Sequence, residues 1–248
     1  DARGKVVAPG LVDVHVHFRD PGQEHKEDIR SGSPAPAAGG FTTVVAEPNT
    51  IPPIDTPARV RSLLETARAK SIVRFHTKAA ITEGMKGENL TDIAGLSNAG
   101  ARAISDDGNP VRKRMLMEQA LQQAREWNIL VSPHCEESSR DWEITRRAEH
   151  MNGQTTLWDR TPYPGEEGYD SEARLIERDI SIAERARSRI HISHVSLAES
   201  VKIIAAAKKR GVMVTAEATP HHFSLTADDA KRIGPNAKVN PPLRSKND

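Results

Sequence analysis

The sequence predicts an α/β fold, a (β/α)8 barrel built from parallel strands and the helices that connect them. Short apolar segments rich in β-branched residues alternate with longer segments of helical periodicity through most of the 248 residues. This alternation is typical of βαβ units, and about seven or eight of them in one chain favour a barrel. An open, doubly wound sheet is the alternative, but no Gly-x-Gly-x-x-Gly motif follows the first predicted strand.

The individual elements follow from local composition. Strands are predicted over residues 11–18, 41–49, 73–82, 101–107, 129–135, 189–196, 212–222 and, weakly, 237–243. Helical periodicity predicts helices over residues 56–70, 111–127, 171–187 and 197–210. Residues 30–40 should form the first helix, but Pro34 and Pro36 each remove a backbone donor, so we expect that helix to end early, kink or begin near Pro34. The long irregular segment 152–170 is typical of a functional or disordered loop.

Composition restricts the class of protein. The net charge is +1, with 37% hydrophobic and 28% charged residues, so no bulk charge favours nucleic acid or a membrane surface. No apolar run reaches the roughly 18 residues of a transmembrane helix, and the first residues lack the pattern of a signal peptide. Cys135 is the only cysteine, which fits a reducing compartment. These features predict a soluble, cytoplasmic protein that binds neither nucleic acid nor a membrane.

Polar and apolar residues alternate in the segment DVHVHFRD, residues 13–20. In a strand, Asp13, His15, His17 and Arg19 share one face, and the apolar residues between them share the other. Buried imidazoles and carboxylates are costly unless they are satisfied, and a divalent metal bound by two histidines at i and i+2 satisfies them. A His-x-His pattern is weak by itself, so a pair of structural histidines is the alternative.

Further polar residues lie at the ends of other predicted strands. Asp106 and Asp107 end the fourth strand, His134 ends the fifth and His194 ends the sixth. Barrel active sites form at the carboxyl ends of strands, where residues distant in sequence converge. Nitrogen and oxygen ligands of this kind suit zinc. The sequence therefore predicts a zinc site at this end of the barrel.

The remaining histidines and the cysteine are weaker candidates. His191 has the opposite strand parity to His194, so we expect a core or supporting residue. Cys135 should point away from the face that His134 uses. The pair at 221–222 stays open between the rim of the site and a structural role. Surface or structural roles are expected for His25, His76 and His150.

The segment PGLVDVHVHFRDPG, residues 9–22, resembles the first barrel strand of the amidohydrolase superfamily and, more narrowly, of the dihydroorotases. Further motifs agree in order: GGFTTVVAEPNT (39–50), SDDGNPV (105–111), HCEE (134–137), HISHVS (191–196), TPHHF (219–223) and NPPLR (240–244). Phe-Arg after His-x-His separates this pattern from the hydantoinases. An aspartate on the fourth strand, where relatives carry a carboxylated lysine, points to the bacterial type I class. Lys78 lies on the third strand and is a poor substitute for that lysine.

The resemblance implies a centre of one or two zinc ions in which Asp107, rather than Asp106, bridges the metal positions. The implied ligands are His15 and His17 for one ion, and His134 and His194 for the other. Substrate-binding roles are implied for Arg19, Asn49 and Asn240. Arginine suits a substrate carboxylate because its planar fork can bind both oxygens.

The activity implied is the reversible cyclisation of N-carbamoyl-L-aspartate to L-dihydroorotate in pyrimidine biosynthesis. Superfamily members use an aspartate on the eighth strand as acid and base, and we expect it beyond Asp248, so no catalytic residue is assigned here. Residues 1–248 are therefore expected to form one partial hydrolase barrel, without its eighth strand or the flanking β-sandwich. We expect this portion to be inactive by itself.

Two rival functions remain open. An allantoinase- or hydantoinase-like cyclic amidohydrolase is the first, although Arg19 and the SDDG motif argue against it. An inactive homologue that serves as a scaffold for aspartate carbamoyltransferase is the second, although the intact histidines argue against it. The expected partners are a small-molecule substrate, further copies of the chain in a homo-oligomer and aspartate carbamoyltransferase.

Overall fold

The computed structural model describes residues 1–136 and 171–248, and the chain divides into two compact units, Asp1–Ser105 and Asp106–Asp248. Each unit consists of parallel strands and helices, which confirms the predicted α/β class. In the described ranges, no helix combines the length and the apolar character needed to cross a bilayer. That the whole chain forms one barrel domain stays a prediction.

The first unit contains four parallel strands in the order β1-β2-β3-β4. The strands are β1 (Leu11–Val16), β2 (Phe41–Ala46), β3 (Arg74–Ala79) and β4 (Ala103–Ile104). The helices are α1 (Ile29–Gly32), α2 (Pro34–Ala38), α3 (Pro57–Lys70) and α4 (Ile93–Ala99), with a 3-10 turn at Glu83–Met85. The core includes Ile29, Val44, Ile54, Val60, Ile81, Ile93 and Leu96, all fully buried.

The helices of this unit begin where the sequence supplies a cap. The Thr56 side chain accepts a hydrogen bond from Arg59 N, and Pro57 occupies the first turn of α3, where its missing N–H is harmless. Residues 30–40 form two helices that break at Ser33, and the second begins with Pro34 as its first residue. The predicted interruption at Pro34 is confirmed.

Within its described residues, the second unit contains three parallel strands in the order β5-β6-β7. The strands are β5 (Leu130–Val131), β6 (Ile190–Ile192) and β7 (Val214–Ala216). The helices are α5 (Arg114–Glu126), α6 (Ser171–Ala186), α7 (Ala198–Lys209), α8 (Pro220–Ser224) and α9 (Ala227–Ile233), followed by a 3-10 turn at Gly234–Ala237. The core includes Met117, Leu121, Leu175, Ile176, Ile180, Ile182 and Ile192.

Several strands end earlier than the sequence predicts. The strand predicted over 11–18 ends at Val16, and the one predicted over 212–222 ends at Ala216. The weak strand predicted over 237–243 is wrong, because the chain there is a 3-10 turn followed by irregular backbone. The predicted loop 152–170 lies outside the described residues. Short strands leave longer irregular segments after them, and the polar candidates lie on those segments.

Candidate functional site

In the first unit, the two histidines of the His-x-His motif face polar groups of the neighbouring strand. His15 Nδ1 lies 3.5 Å from Glu47 Oε1, and His17 Nδ1 lies 3.0 Å from Asn49 Oδ1. The two imidazole rings are 5.2 Å apart in an edge-to-face arrangement. The prediction that His15 and His17 share one face agrees with this geometry. Asn49, predicted as a substrate contact, here contacts a histidine.

Glu47, which His15 faces, belongs to a buried ion pair. Glu47 and Lys78 are each 2% exposed, and Lys78 Nζ is in direct contact with Glu47 Oε1. A buried carboxylate costs several kcal/mol unless a charge or hydrogen bonds compensate it, and Lys78 supplies that charge. The sequence reasoning missed Glu47 and considered Lys78 only as a substitute metal ligand. The signal was a single acidic residue in the otherwise apolar run VVAEPN, with the same parity as Asn49.

Arg19 does not continue the polar face of β1. The strand ends at Val16, and Arg19 has a φ of 57°, in the left-handed region. Strand alternation applies only while the backbone is extended, so the parity argument for Arg19 is wrong. Phe18 is buried and stacks against Phe75 at 5.5 Å, which anchors the chain just before this turn. The role of Arg19 in substrate binding stays a prediction.

In the second unit, an aspartate and two histidines meet in a buried cluster. Asp107 Oδ1 lies 3.7 Å from His134 Nδ1 and 3.5 Å from His194 Nε2, and the two imidazole nitrogens are 2.8 Å apart. The three side chains are 5–8% exposed. Asp107, rather than Asp106, therefore reaches the histidines. On the other side of the ring, His134 Nε2 lies 3.9 Å from Glu136 Oε2.

The spacing of these atoms fits a metal ion. Zinc binds nitrogen and carboxylate oxygen at about 2.0–2.2 Å, so tetrahedral ligand atoms lie roughly 3.3 Å apart. The three separations of 2.8–3.7 Å bracket that value. Asp107, His134 and His194 form a group able to hold a metal ion. Two imidazole nitrogens and a carboxylate oxygen are donors of the kind that zinc binds, so the donor set fits the expected metal.

The segment that carries His194 is held by the backbone of Glu217. Glu217 N donates to Ile192 O at 3.1 Å, and Val195 N donates to Glu217 O at 2.8 Å. Between these two anchors His194 has a φ of 36°, which a non-glycine residue adopts only at a cost. The strain at His194 is therefore sustained by hydrogen bonds on either side of it.

A buried carboxylate, Glu172 at the start of α6, holds the chain just after His194. Its Oε1 accepts from Ser196 N at 3.0 Å, Leu197 N at 3.2 Å and Ser200 Oγ at 2.7 Å. Its Oε2 accepts from Ser196 Oγ, and Arg244 Nη2 lies 3.4 Å from the same oxygen. Because α7 begins at Ala198, the carboxylate also lies where the helix dipole favours negative charge.

The same helix carries a second buried carboxylate, Asp179. Arg178 donates to Asp179 Oδ1 at 2.8 Å and to the carbonyl oxygens of Val111 and Arg112, both at 2.8 Å. Burial raises the pKa of Asp179, an effect that the Arg178 guanidinium opposes. Cys135 Sγ lies 3.8 Å from Asp179 Oδ2, and burial together with this carboxylate raises the pKa of the thiol well above its usual range. The Cys135 side chain contacts Asp179, which agrees with the expectation that it points away from the face that His134 uses.

The remaining candidates have other contacts. His191 contacts Thr215 Oγ1 at 2.8 Å and Glu217 Oε2 at 3.0 Å, which agrees with a supporting role. His222 contacts Thr219 Oγ1 and the carbonyl oxygen of Pro241, a structural role at the start of α8. Asn240 is exposed, and its substrate role stays a prediction. His150 lies outside the described residues.

Comparison with known proteins identifies sequence relatives along the chain. A family described as "Dihydro-orotase-like" matches residues 4–200. A dihydroorotase of Caldicellulosiruptor saccharolyticus is 45% identical over the whole chain, and one of Streptococcus thermophilus is 43% identical over the same extent. The chain spans 56–57% of the length of these two relatives.

Solved structures with a similar fold include hydantoinases. The L-hydantoinase (dihydropyrimidinase) of Arthrobacter aurescens matches with a TM-score of 0.81 and 25% identity, over the whole of this chain and 55% of that protein. A structure titled D-hydantoinase matches 96% of the chain with a TM-score of 0.72 at 23% identity, which bears on the fold alone. The predicted barrel class of the amidohydrolase type is confirmed by these likenesses.

Proposed function

This chain belongs to the dihydroorotase family, and from that premise we propose that the protein containing it interconverts N-carbamoyl-L-aspartate and L-dihydroorotate. The observation that carries the proposal is the buried cluster of Asp107, His134 and His194, whose ligand atoms lie within 3.7 Å of one another. Because the chain spans little more than half of its relatives, the activity is proposed for the full-length protein.

We propose zinc as the metal, with His15 and His17 as ligands of one ion and Asp107, His134 and His194 as ligands of the second position. Two imidazoles and a carboxylate are a typical zinc donor set, and neither sulfur nor an all-oxygen shell is offered by these residues. When bound, zinc polarises the amide carbonyl and activates the attacking water. The carboxylate of Asp107 and the imidazoles of His134 and His194 would hold the second ion.

The substrate carboxylate needs a cation and a hydrogen-bond donor, and we propose Arg19 and Asn49 for these roles, with Asn240 as a further contact. The Asn49 Oδ1 accepts from His17, and the amide N–H₂ group is the donor that we propose for a substrate oxygen. The acid–base group is proposed to be an aspartate beyond Asp248. We propose that 1–248 without it turns over no substrate.

A hydantoinase-like specificity is the second candidate, favoured by the TM-score of 0.81 to an L-hydantoinase. The two functions share ring-amide hydrolysis and differ in the exocyclic carboxylate of dihydroorotate. A site with an arginine aimed at that carboxylate should reject a neutral ring, because the guanidinium would lose its counter-ion. Substrate preference therefore distinguishes the two.

The experiment assays the full-length protein with L-dihydroorotate, dihydrouracil, hydantoin and allantoin at equal concentration, with metal content measured on the same preparation. We expect zinc in the protein and a kcat/KM for dihydroorotate at least 100-fold above the other three. Preference for hydantoin or dihydrouracil would replace the proposal with the second candidate. Bound zinc with no turnover of any ring would contradict both.

The wider setting follows from the same proposal. We propose a cytoplasmic enzyme that forms homo-oligomers and contacts aspartate carbamoyltransferase, which makes the carbamoyl aspartate that this enzyme would use. Measuring the molecular mass of the purified full-length protein in solution, with and without aspartate carbamoyltransferase, tests both associations.

A further inference from the structure

Four polar side chains lie in two contacting pairs where the neighbouring strands β1 and β2 of the first unit end. His15 and His17 alternate along the end of β1, and Glu47 and Asn49 alternate just past the end of β2. The two backbones meet at the strand ends, where Val16 pairs with Ala46 and Glu47 N donates to Val16 O at 2.9 Å, after a shift in register between Asp13 and Val16. Each histidine therefore lies beside one polar residue of the segment that follows β2.

The contacts favour a proton on Nδ1 of each ring. An amide Oδ1 only accepts, so the 3.0 Å contact with His17 requires a proton on Nδ1. Glu47 Oε1 lies 3.5 Å from His15 Nδ1, an electrostatic contact rather than a hydrogen bond, and its negative charge favours a proton on the nitrogen that faces it. With the proton on Nδ1, the lone pair of each ring lies on Nε2, the nitrogen that would bind a metal. Ligating histidines generally donate their other N–H to an acceptor, which orients the ring and raises its basicity.

Lys78 explains how a carboxylate can lie in this position. Glu47 is 2% exposed, and its Oε1 contacts the equally buried Lys78 Nζ. The ammonium of Lys78, on β3, supplies the opposite charge. The pair is neutral as a whole, so Glu47 can face His15 without leaving a net charge in the core.

We propose that Glu47 and Asn49 are positioning residues that hold His15 and His17 as Nδ1–H tautomers, with Nε2 directed to the metal. The proposal rests on the proposed zinc site and adds two residues to it. Glu47 had no role in the site, and Asn49 gains a second one, because its Oδ1 serves His17 while its amide N–H₂ serves the substrate. Neither residue is a ligand.

The two roles of Asn49 can be separated by substitution. Asn49→Asp keeps an acceptor for His17 but has no donor for a substrate carboxylate, whereas Asn49→Ala has neither. Glu47→Gln keeps an acceptor for His15, and Glu47→Met removes it at similar volume. Asn98→Ala is the matched control for the asparagine, because it is exposed on α4 of the same unit.

The experiment measures zinc affinity of the full-length protein by competition with a chromophoric chelator, and KM for dihydroorotate on the zinc-loaded enzyme. We expect Asn49→Ala and Glu47→Met to weaken zinc binding 10–100-fold, and Asn49→Asp and Glu47→Gln to stay within about threefold of wild type. Asn49→Asp should nevertheless raise KM at least tenfold. The Asn98→Ala control should leave both quantities unchanged.

The wild-type holoenzyme gives an independent measurement that needs no variant. With ¹⁵N-labelled histidine, NMR should show His15 and His17 protonated at Nδ1 and bound to metal through Nε2. Metal at Nδ1 of either ring, or unchanged zinc affinity in both Asn49→Ala and Glu47→Met, would overturn this proposal while the activity stands. A wild-type protein without zinc would overturn it together with the proposed function.

Discussion

The two units orient their candidate histidines by different means. In the first unit, His15 and His17 lie on or directly after a strand and face side chains of the neighbouring strand, Glu47 and Asn49. In the second unit, His194 lies on irregular backbone after a short strand. There a carboxylate of a helix, Glu172, binds main-chain N–H groups of the segment that follows it.

The difference shows what each backbone leaves undetermined. An extended strand already directs alternate side chains to one face, so only the ring orientation needs a partner. Irregular backbone determines neither direction nor position, so the main chain itself must be held. Buried carboxylates do this well, because hydrogen bonds that involve a charged group are roughly twice as strong as neutral ones. The second unit should therefore depend more on its buried charges than the first.

The largest effect is expected for Glu172→Ala. The substitution leaves Ser196 N, Leu197 N and Ser200 Oγ without their acceptor in a buried place and the nearby Arg244 without its counter-ion. We expect the free energy of unfolding to fall by about 3–5 kcal/mol, measured by urea denaturation of the full-length protein. Glu177→Ala, exposed on the same helix, should change it by less than about 0.5 kcal/mol. Similar values for the two variants would remove the distinction drawn between the units.

A double-mutant cycle on Glu47 and Lys78 should give a smaller net effect. Lys78→Met leaves a buried carboxylate without its counter-ion and should cost about 3 kcal/mol of unfolding free energy. Glu47→Met combined with Lys78→Met should recover most of that loss, because the strand geometry persists without the charges. The exposed Lys86→Met serves as the control. If the double variant is as unstable as Lys78→Met, the first unit depends on its ion pair as strongly as the second depends on Glu172.

The smallest perturbation is a chemical probe of Cys135. The thiol is 1% exposed, and burial with the nearby Asp179 raises its pKa, so little thiolate forms near pH 8. We expect alkylation of the Cys135 peptide, followed by mass spectrometry, to be at least about 100-fold slower in the native protein than in urea. Rapid labelling of the native protein would indicate that packing against α6 does not keep Cys135 buried.

The sequence was sufficient for the parts of the site that depend on regular alternation. Strand parity predicts the shared face of His15 and His17, and the 5.2 Å separation of their rings agrees with it. Parity failed for Arg19, because the backbone turns into a positive φ after the strand ends. The strand prediction over 212–222 failed beyond Ala216, because Thr219 caps a helix that begins at Pro220.

The supporting carboxylates could not be predicted from local sequence. In SEARLIERDISIAERAR, Glu172, Glu177 and Asp179 are three acidic residues of one amphipathic helix, a pattern typical of a solvated face. The structure buries Glu172 and Asp179 and leaves Glu177 exposed. Which of them is buried depends on loops that arrive from distant parts of the chain, at residues 111–112 and 196–200.

The spacing of the two carboxylates on α6 has a consequence for how the protein tolerates changes in length. Glu172 and Asp179 are seven residues apart, close to two helical turns, so they emerge within about 20° of the same direction. Inserting or deleting one residue between them would rotate one carboxylate by about 100° relative to the other. Either Glu172 would lose its contacts with residues 196–200, or Asp179 and the adjacent Arg178 would lose theirs, those of Arg178 being with residues 111–112. Homologous chains should therefore differ in length before residue 171 or after residue 186, and keep the seven-residue interval within the helix.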